Sequence, residues 1–161
     1  MTTLATGFAA AVQPVAASTQ ITTDATGLAA GEVKIAVKDG EVPAYRAMPA
    51  GGKNLPTVLV VQEIFGVNSH IRRVAEQYAA EGYLAIAPAM FDRLQKGVDL
   101  GYDSAGMQAG IELMMKASNE GALADVNAAI DSVAHAGRVG MVGYCWGGRV
   151  TYLSGCHTNI A

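Results

Sequence analysis

The sequence predicts one α/β domain, a mostly parallel sheet with helices on both faces, preceded by a β-hairpin. Short continuous apolar runs at 57–61, 84–87 and 139–142 are typical of strands that are covered on both faces. Between these runs, apolar residues recur every three or four positions, as in helices packed on one side. Strands that alternate with helices form parallel sheets. A chain of 161 residues has room for one such domain.

A β-hairpin is predicted before the first buried run. Val33, Ile35 and Val37 alternate with polar residues, as in a half-buried strand. Asp39-Gly40 is a dipeptide typical of tight hairpin turns, and residues 42–48 then form the return strand.

Four helices are predicted between and after the strands. The first begins at a capping residue, either Asn68 or Ser69, and ends at Gly82. The third spans 119–136, and the fourth continues from Gly148. Both carry apolar residues spaced by three and four positions.

The second helix is predicted over 104–116, after a polar loop at 92–103. Its largest apolar residues at helical spacing are Met107, Ile111 and Met114, which we expect to face the core.

The first 30 residues differ from the rest of the chain, because no Lys or Arg occurs before Lys34. Leu4–Ala17 is apolar, and Val15-Ala16-Ala17 is similar to a small-residue cleavage site. Two interpretations stay open: a signal peptide without its positive region, which implies export to the periplasm, or a disordered leader of a cytoplasmic protein. Residues 18–31 have the composition of a linker, so the domain is predicted over 31–161.

Composition excludes several classes of function. The net charge of −3 gives no basic surface for nucleic acid. The apolar leader is too short and too interrupted to span a bilayer, so no membrane partner is expected for the mature chain. The two cysteines, Cys145 and Cys156, are too few for a disulfide framework or a zinc site. We expect Cys156 to be a buried apolar residue.

The strongest motif is Gly143-Tyr144-Cys145-Trp146-Gly147-Gly148, directly after the apolar run 139–142. It is the cysteine form of the G-x-S-x-G turn, in which a strand reverses sharply into a helix. Small residues two positions before and after the nucleophile let the backbone of the strand and that of the helix pass each other without steric clashes. The helix N-terminus then favours the thiolate of Cys145.

Three segments together, Val60–Gly66, Pro88–Arg93 and Val142–Gly148, resemble the dienelactone hydrolase family of α/β-hydrolases. The resemblance extends from about Ala30 to the end of the chain. It implies hydrolysis of small esters or lactones, typically dienelactone to maleylacetate, by a Cys-His-Asp triad without a metal or organic cofactor. No nucleotide-binding G-x-G-x-x-G loop follows the apolar strands.

The resemblance assigns roles to four residues. Cys145 becomes the nucleophile, with a buried structural cysteine as the alternative. The backbone N–H groups of Trp146 and Ile64 become the oxyanion hole. Glu63 matches the family glutamate that hydrogen-bonds the resting cysteine and helps to generate the thiolate; the alternative is a solvated glutamate at a strand end.

Arg93 resembles the family arginine that holds the substrate carboxylate, a task suited to a guanidinium group. The alternative is a surface arginine in a charged loop. The sequence departs from the family pattern at Ala89, where many relatives have an acidic residue.

The triad acid and base are not found in the sequence. His70, His135 and His157 are all expected to be surface residues, and no Asp or Glu follows Cys145. We therefore expect a C-terminally incomplete, truncated member of the family, with an open sheet edge at residues 139–143 that invites self-association. The alternative function is an inactive fragment or a partner-dependent interaction module.

Overall fold

The computed structural model describes residues 24–157, so the predicted signal-like segment at 4–17 lies outside the described residues. We number the elements in chain order. They are β1 (Leu28–Val37), β2 (Gly40–Pro49), β3 (Thr57–Val61), α1 (Ser69–Ala80), β4 (Leu84–Pro88), α2 (Ser104–Lys116), α3 (Asn119–Val133), β5 (Val139–Gly143) and α4 (Trp146–His157).

All five strands form one sheet in the order β1-β2-β4-β3-β5. The pairs β3–β4 and β3–β5 are parallel, whereas β1–β2 and β2–β4 are antiparallel. This confirms the predicted α/β class, and it shows that the hairpin joins the same sheet. Because β3, β4 and β5 run parallel, their carboxyl ends meet at one edge, where open α/β sheets bind ligands.

The hairpin is longer than predicted at its N-terminal side. β1 begins at Leu28, within the segment predicted to be a linker, and Leu28 pairs with Pro49. Ala29, Ala30 and Gly31 have little preference for strands. Their pairing with β2 supplies the backbone hydrogen bonds that hold them in the sheet.

Helices cover both faces of the sheet, as predicted. On one face, α1 buries Ile71, Val74, Ala75 and Ala79 against small residues of β2 and β4. On the other face, β3 and β4 pack against α3 and α4. Asn68, one of the two predicted caps, begins α1: its side-chain oxygen accepts from the backbone N–H groups of His70 and Ile71.

The predicted inward face of α2 is confirmed at Met114, which is partly buried against the core, and wrong at the other two positions. Met107 and Ile111 are 44% and 40% exposed, whereas Gly106, Gly110 and Leu113 are buried. A Cβ on Gly110 would lie only 2.5 Å from the carbonyl oxygen of Ile64. The helix thus approaches the loop after β3 through its glycines, and the side chains of Met107 and Ile111 are turned outward.

Cys156 is exposed, which corrects the prediction of a buried residue. The buried positions of α4 are Trp146, Gly147, Val150 and Ser154. Cys156 belongs to the last turn of the helix, beyond the part that packs on the core.

β5 is an edge strand, and each of its five residues is only half-buried. Its neighbour on one side is β3. The predicted open edge at residues 139–143 is therefore present in the described part of the chain.

The close approach of α2 predicts opposite effects for two glycine-to-alanine substitutions in helices. Gly110→Ala should lower the free energy of unfolding by about 1–3 kcal/mol, because its Cβ collides with the Ile64 carbonyl. Gly155→Ala in α4 is the matched control: a Cβ there meets no atom within 4 Å. It should gain about 0.5–1 kcal/mol of helix propensity. Urea unfolding measures both, and equal effects would contradict this packing.

Candidate active site

Cys145 occupies the sharp turn between β5 and α4. Its backbone φ is +52°, in the left-handed region that non-glycine residues rarely adopt. The turn is closed by hydrogen bonds from the Gly147 N–H to the Tyr144 carbonyl, 2.8 Å, and from the Gly148 N–H to the Cys145 carbonyl, 3.0 Å. The Cys145 side chain is exposed, so the thiol is accessible at the N-terminus of a helix.

The two flanking glycines are required by backbone contacts. A Cβ on Gly143 would lie 2.1 Å from the carbonyl oxygen of Gly147. A Cβ on Gly147 would lie 2.4 Å from the carbonyl oxygen of Val61, at the end of β3. The small residues in the motif therefore let the start of α4 pass close to both β5 and β3.

Glu63 and Cys145 follow neighbouring strands at equivalent positions. Val61 pairs with Gly143, and each of the two site residues stands two positions further along. The Tyr144 N–H donates to the Val61 carbonyl at 3.2 Å, which holds the two strand ends together. The sheet register thus brings the predicted nucleophile and the predicted glutamate to one edge.

The carboxylate of Glu63 accepts a hydrogen bond from the Tyr102 hydroxyl through Oε2. Within residues 24–157 it makes no such bond with the Cys145 thiol. Partial burial of the phenol, together with this bond, raises the pKa of Tyr102 to about 12. Tyr102 was not identified from the sequence. It directly precedes a helix cap, and the local sequence there does not indicate that its hydroxyl binds a residue 39 positions away.

The two predicted oxyanion donors belong to buried residues, Ile64 and Trp146. In the described part of the chain, neither backbone N–H donates to a backbone carbonyl. The Trp146 ring packs on Phe91, with 4.8 Å between the ring centroids, and this contact anchors the first turn of α4.

Arg93 lies in an ion-pair network. Its Nε and Nη2 donate to the carboxylate of Asp125, which is 2% exposed, at 2.8 Å to Oδ1. Its Nη1 lies 2.5 Å from Oδ2 of Asp39, in the β1–β2 turn. The role of Arg93 in holding a substrate carboxylate stays a prediction, and it requires that carboxylate to replace Asp39.

The histidines are exposed, and none is paired with an acidic side chain within residues 24–157. His70 nevertheless lies near the elbow: its ring centroid is 6.3 Å from those of Tyr102 and Tyr144. His135 and His157 lie at the ends of other elements, and neither contacts the elbow residues in a ring pair.

Gln62 is a second residue whose role the sequence did not reveal. Its side chain is fully buried; Oε1 accepts from the Met90 N–H at 3.1 Å, and Nε2 donates to the Glu63 carbonyl at 3.3 Å. The amide therefore links the segments that follow β3 and β4. The sequence offered one indication of this role: Gln62 is a polar residue directly after the apolar run 57–61.

Among the described residues, no group of three or more His, Cys, Asp or Glu side chains could hold a metal ion. Over the same residues, no helix combines the length and the apolar character needed to cross a membrane.

The chain is similar in sequence to one family of hydrolases and to named members of it. Residues 42–160 match the sequence model of the dienelactone hydrolase family. A Methylorubrum extorquens protein named "Putative carboxymethylenebutenolidase" is 49% identical, over 97% of this chain and 54% of that protein. A Synechocystis protein with the same name is 41% identical, over 70% of this chain and 48% of that protein. The chain thus spans about half the length of these curated relatives.

Solved structures show the same fold. A crystal structure titled "Putative Dienelactone Hydrolase", from Klebsiella pneumoniae, aligns with a TM-score of 0.72 and 38% identity, over 81% of this chain and 55% of that one. A dienelactone hydrolase-like promiscuous phosphotriesterase from metagenomic libraries aligns with a TM-score of 0.61 and 21% identity, over 78% of this chain and 53% of that one. The second likeness shows the fold alone.

The positive φ at residue 145 predicts that glycine is better tolerated there than alanine. Cys145→Gly should be more stable to urea than Cys145→Ala by about 1 kcal/mol, because only glycine adopts φ of +52° without a steric penalty. Both variants remove the thiol, so their difference isolates the backbone. If Cys145→Ala is as stable as Cys145→Gly, the turn is unstrained.

Proposed function

The chain belongs to the dienelactone hydrolase family, and on this basis we propose that it carries the nucleophile of an ester or lactone hydrolase. The single observation behind this proposal is the exposed Cys145, at φ +52° between a parallel strand and a helix. Strained backbone of this kind is found at nucleophile turns, where it presents the side chain at the sheet edge. The substrate would be a small ester or lactone, as the relatives' name suggests.

The proposed reaction begins when the Cys145 thiolate attacks the carbonyl carbon of the substrate. A C–S bond forms, and the carbonyl oxygen becomes an oxyanion, which the N–H groups of Ile64 and Trp146 would stabilise. The C–O bond to the leaving alcohol then breaks, which leaves a thioester on Cys145. Attack by water on this thioester releases the acid and regenerates the thiol. Glu63 would accept the thiol proton before the attack and return it to the oxygen of the leaving alcohol, so that the carboxylate is restored when the thioester has formed.

The proposed deacylation has no general base among residues 24–157. Thioester hydrolysis needs a group that removes a proton from water, usually a histidine oriented by an acid. The described residues supply no such pair beside Cys145. We therefore infer that this chain acylates faster than it turns over.

A second candidate function is that of an interaction module that pairs through β5. The Tyr144 N–H and the Arg138 carbonyl both bond to β3. Because alternate residues of a parallel strand face the same neighbour, the backbone groups of Val139, Met141 and Gly143 face the open edge. An edge with unpaired donors and acceptors can bind a second strand, including that of another copy.

Acylation is tested with p-nitrophenyl acetate on a Cys156→Ala protein, which retains Cys145 as its one thiol. We expect a burst of p-nitrophenol of about one equivalent, followed by slow release, because Glu63 would serve as the base for acylation, whereas deacylation has no histidine–acid pair beside Cys145 among residues 24–157. Cys145→Ala in the same background should show no burst. Sustained turnover would contradict the proposed loss of deacylation, and equal bursts from both proteins would exclude Cys145 as the nucleophile.

Pairing through β5 is tested with two substitutions at Met141. Met141→Pro removes a backbone N–H that faces the open edge, whereas Met141→Ala keeps that N–H and loses the same side-chain packing. Sedimentation velocity over a range of concentrations should show association for the original chain and for Met141→Ala, and a monomer for Met141→Pro. A monomer in all three cases would rule out the interaction module formed by two copies.

A further inference from the structure

The segment that carries Tyr102 is attached to the loop after β3. The Leu100 N–H donates to the Phe65 carbonyl at 2.9 Å, and Gly66 forms a β-bridge with Asp99. The Asn68 side-chain amide donates to the Leu100 carbonyl at 3.4 Å. Backbone and side-chain bonds therefore fix the position of Tyr102 relative to the loop that contains Glu63.

The Tyr102 ring is held in place although the residue is 56% exposed. It packs on the Phe65 ring with 4.4 Å between centroids, and the His70 ring lies at 6.3 Å in an edge-on arrangement. The hydroxyl reaches Oε2 of Glu63. The contact between phenol and carboxylate is thus supported from two sides, since the ring and the backbone are both fixed.

This hydrogen bond opposes the role that Glu63 would have in the reaction. The phenol occupies one of the two oxygens of the Glu63 carboxylate. While Tyr102 is bound, that oxygen is therefore not available to accept the proton of the Cys145 thiol.

Resting on the proposed function, we propose that Tyr102 is a positioning residue that holds the Glu63 carboxylate turned toward the 92–103 segment rather than toward Cys145. Release of the phenol frees the carboxylate to approach the thiol and accept its proton. The proton moves from Sγ to a carboxylate oxygen, and the sulfur keeps the electron pair with which it attacks the substrate. Tyr102 thereby sets the resting state of the nucleophile without contacting it.

The titratable groups nearest to this contact lie on α1, on the elbow and on the segment of Tyr102 itself. The His70 ring lies edge-on to Tyr102, and Tyr144 of the elbow lies edge-on to His70. Asp99 pairs with Gly66, and Asp103 caps α2 directly after Tyr102. Burial and the Glu63 bond raise the pKa of Tyr102, which favours the protonated donor in the folded state at neutral pH. The Asn68 amide opposes this shift.

The test measures the rate at which iodoacetamide alkylates Cys145, as a function of pH, in the Cys156→Ala background. Tyr102→Phe removes the hydroxyl and keeps the ring on Phe65. The freed Glu63 should approach the thiol, and its negative charge should move the midpoint of the profile to higher pH by about one pH unit. With Glu63→Gln already present, Tyr102→Phe should leave the midpoint unchanged, because no charge is then released.

A merely structural role of Tyr102 gives a different result. In that case, Tyr102→Phe would shift the pH profile of Cys145 alkylation equally whether position 63 is Glu or Gln. Equal shifts in the two backgrounds, a shift to lower pH, or no shift would each overturn the proposal. Tyr152→Phe is the matched control: Tyr152 is an exposed tyrosine on α4, and its substitution should leave the profile unchanged.

Titration of the tyrosines at 295 nm tests the same contact without Tyr102→Phe. Glu63→Gln should lower the midpoint of one tyrosine from about 12 toward the ordinary range, while Tyr45, whose pKa burial and Glu76 raise to about 12, stays unchanged. An unchanged titration would overturn the contact. The nitrophenyl burst tests the proposed function separately, because alkylation requires only an accessible thiol.

Discussion

The left-handed backbone at Cys145 is the constraint on which the site depends. A non-glycine residue adopts φ of +52° only when the surrounding structure compensates its cost. Here the compensation comes from the close packing of Gly143 and Gly147 against each other and against the end of β3. The same packing fixes the start of α4, exposes the thiol, and sets Cys145 at the same sheet edge as the loop that contains Glu63. A larger residue at either glycine would displace all of these groups together.

Elsewhere at this sheet edge, polar side chains hold the segments after separate strands together by hydrogen bonds and ion pairs. The buried amide of Gln62 connects the segment after β3 with the segment after β4. Arg93 joins the β4 segment to α3 and to the β1–β2 turn through Asp125 and Asp39. Asp125 is almost fully buried, and a buried charge that loses its partner costs about 3–5 kcal/mol. Removal of Arg93 would therefore destabilise the fold whether or not Arg93 contacts a substrate.

Glu63 follows the hydrogen-bonded Gln62 and lies at the same sheet edge as the predicted nucleophile, Cys145. It shares a strand end with Gln62, which is fixed by two hydrogen bonds, and it lies level with Cys145 in the register of β3 and β5. Its carboxylate is bound by Tyr102, which arrives on a segment tied to the same loop. The carboxylate held by the phenol and the accessible thiol of Cys145 thus belong to one sheet edge. In the proposed reaction, deprotonation of the thiol depends on release of this hydrogen bond.

The sequence by itself determined the order of strands and helices, the turn at Cys145, and the position of Glu63 and Ile64 at a strand end. These features follow from local patterns: apolar runs, caps, and glycines at fixed spacing. Only the tertiary structure decided that β4 lies between β2 and β3, that β1 begins at Leu28, and that α2 packs through Gly110. It also decided the partners of Arg93 and of Glu63. Such pairings join residues more than 30 positions apart, so they depend on how complete elements pack, which no local pattern encodes.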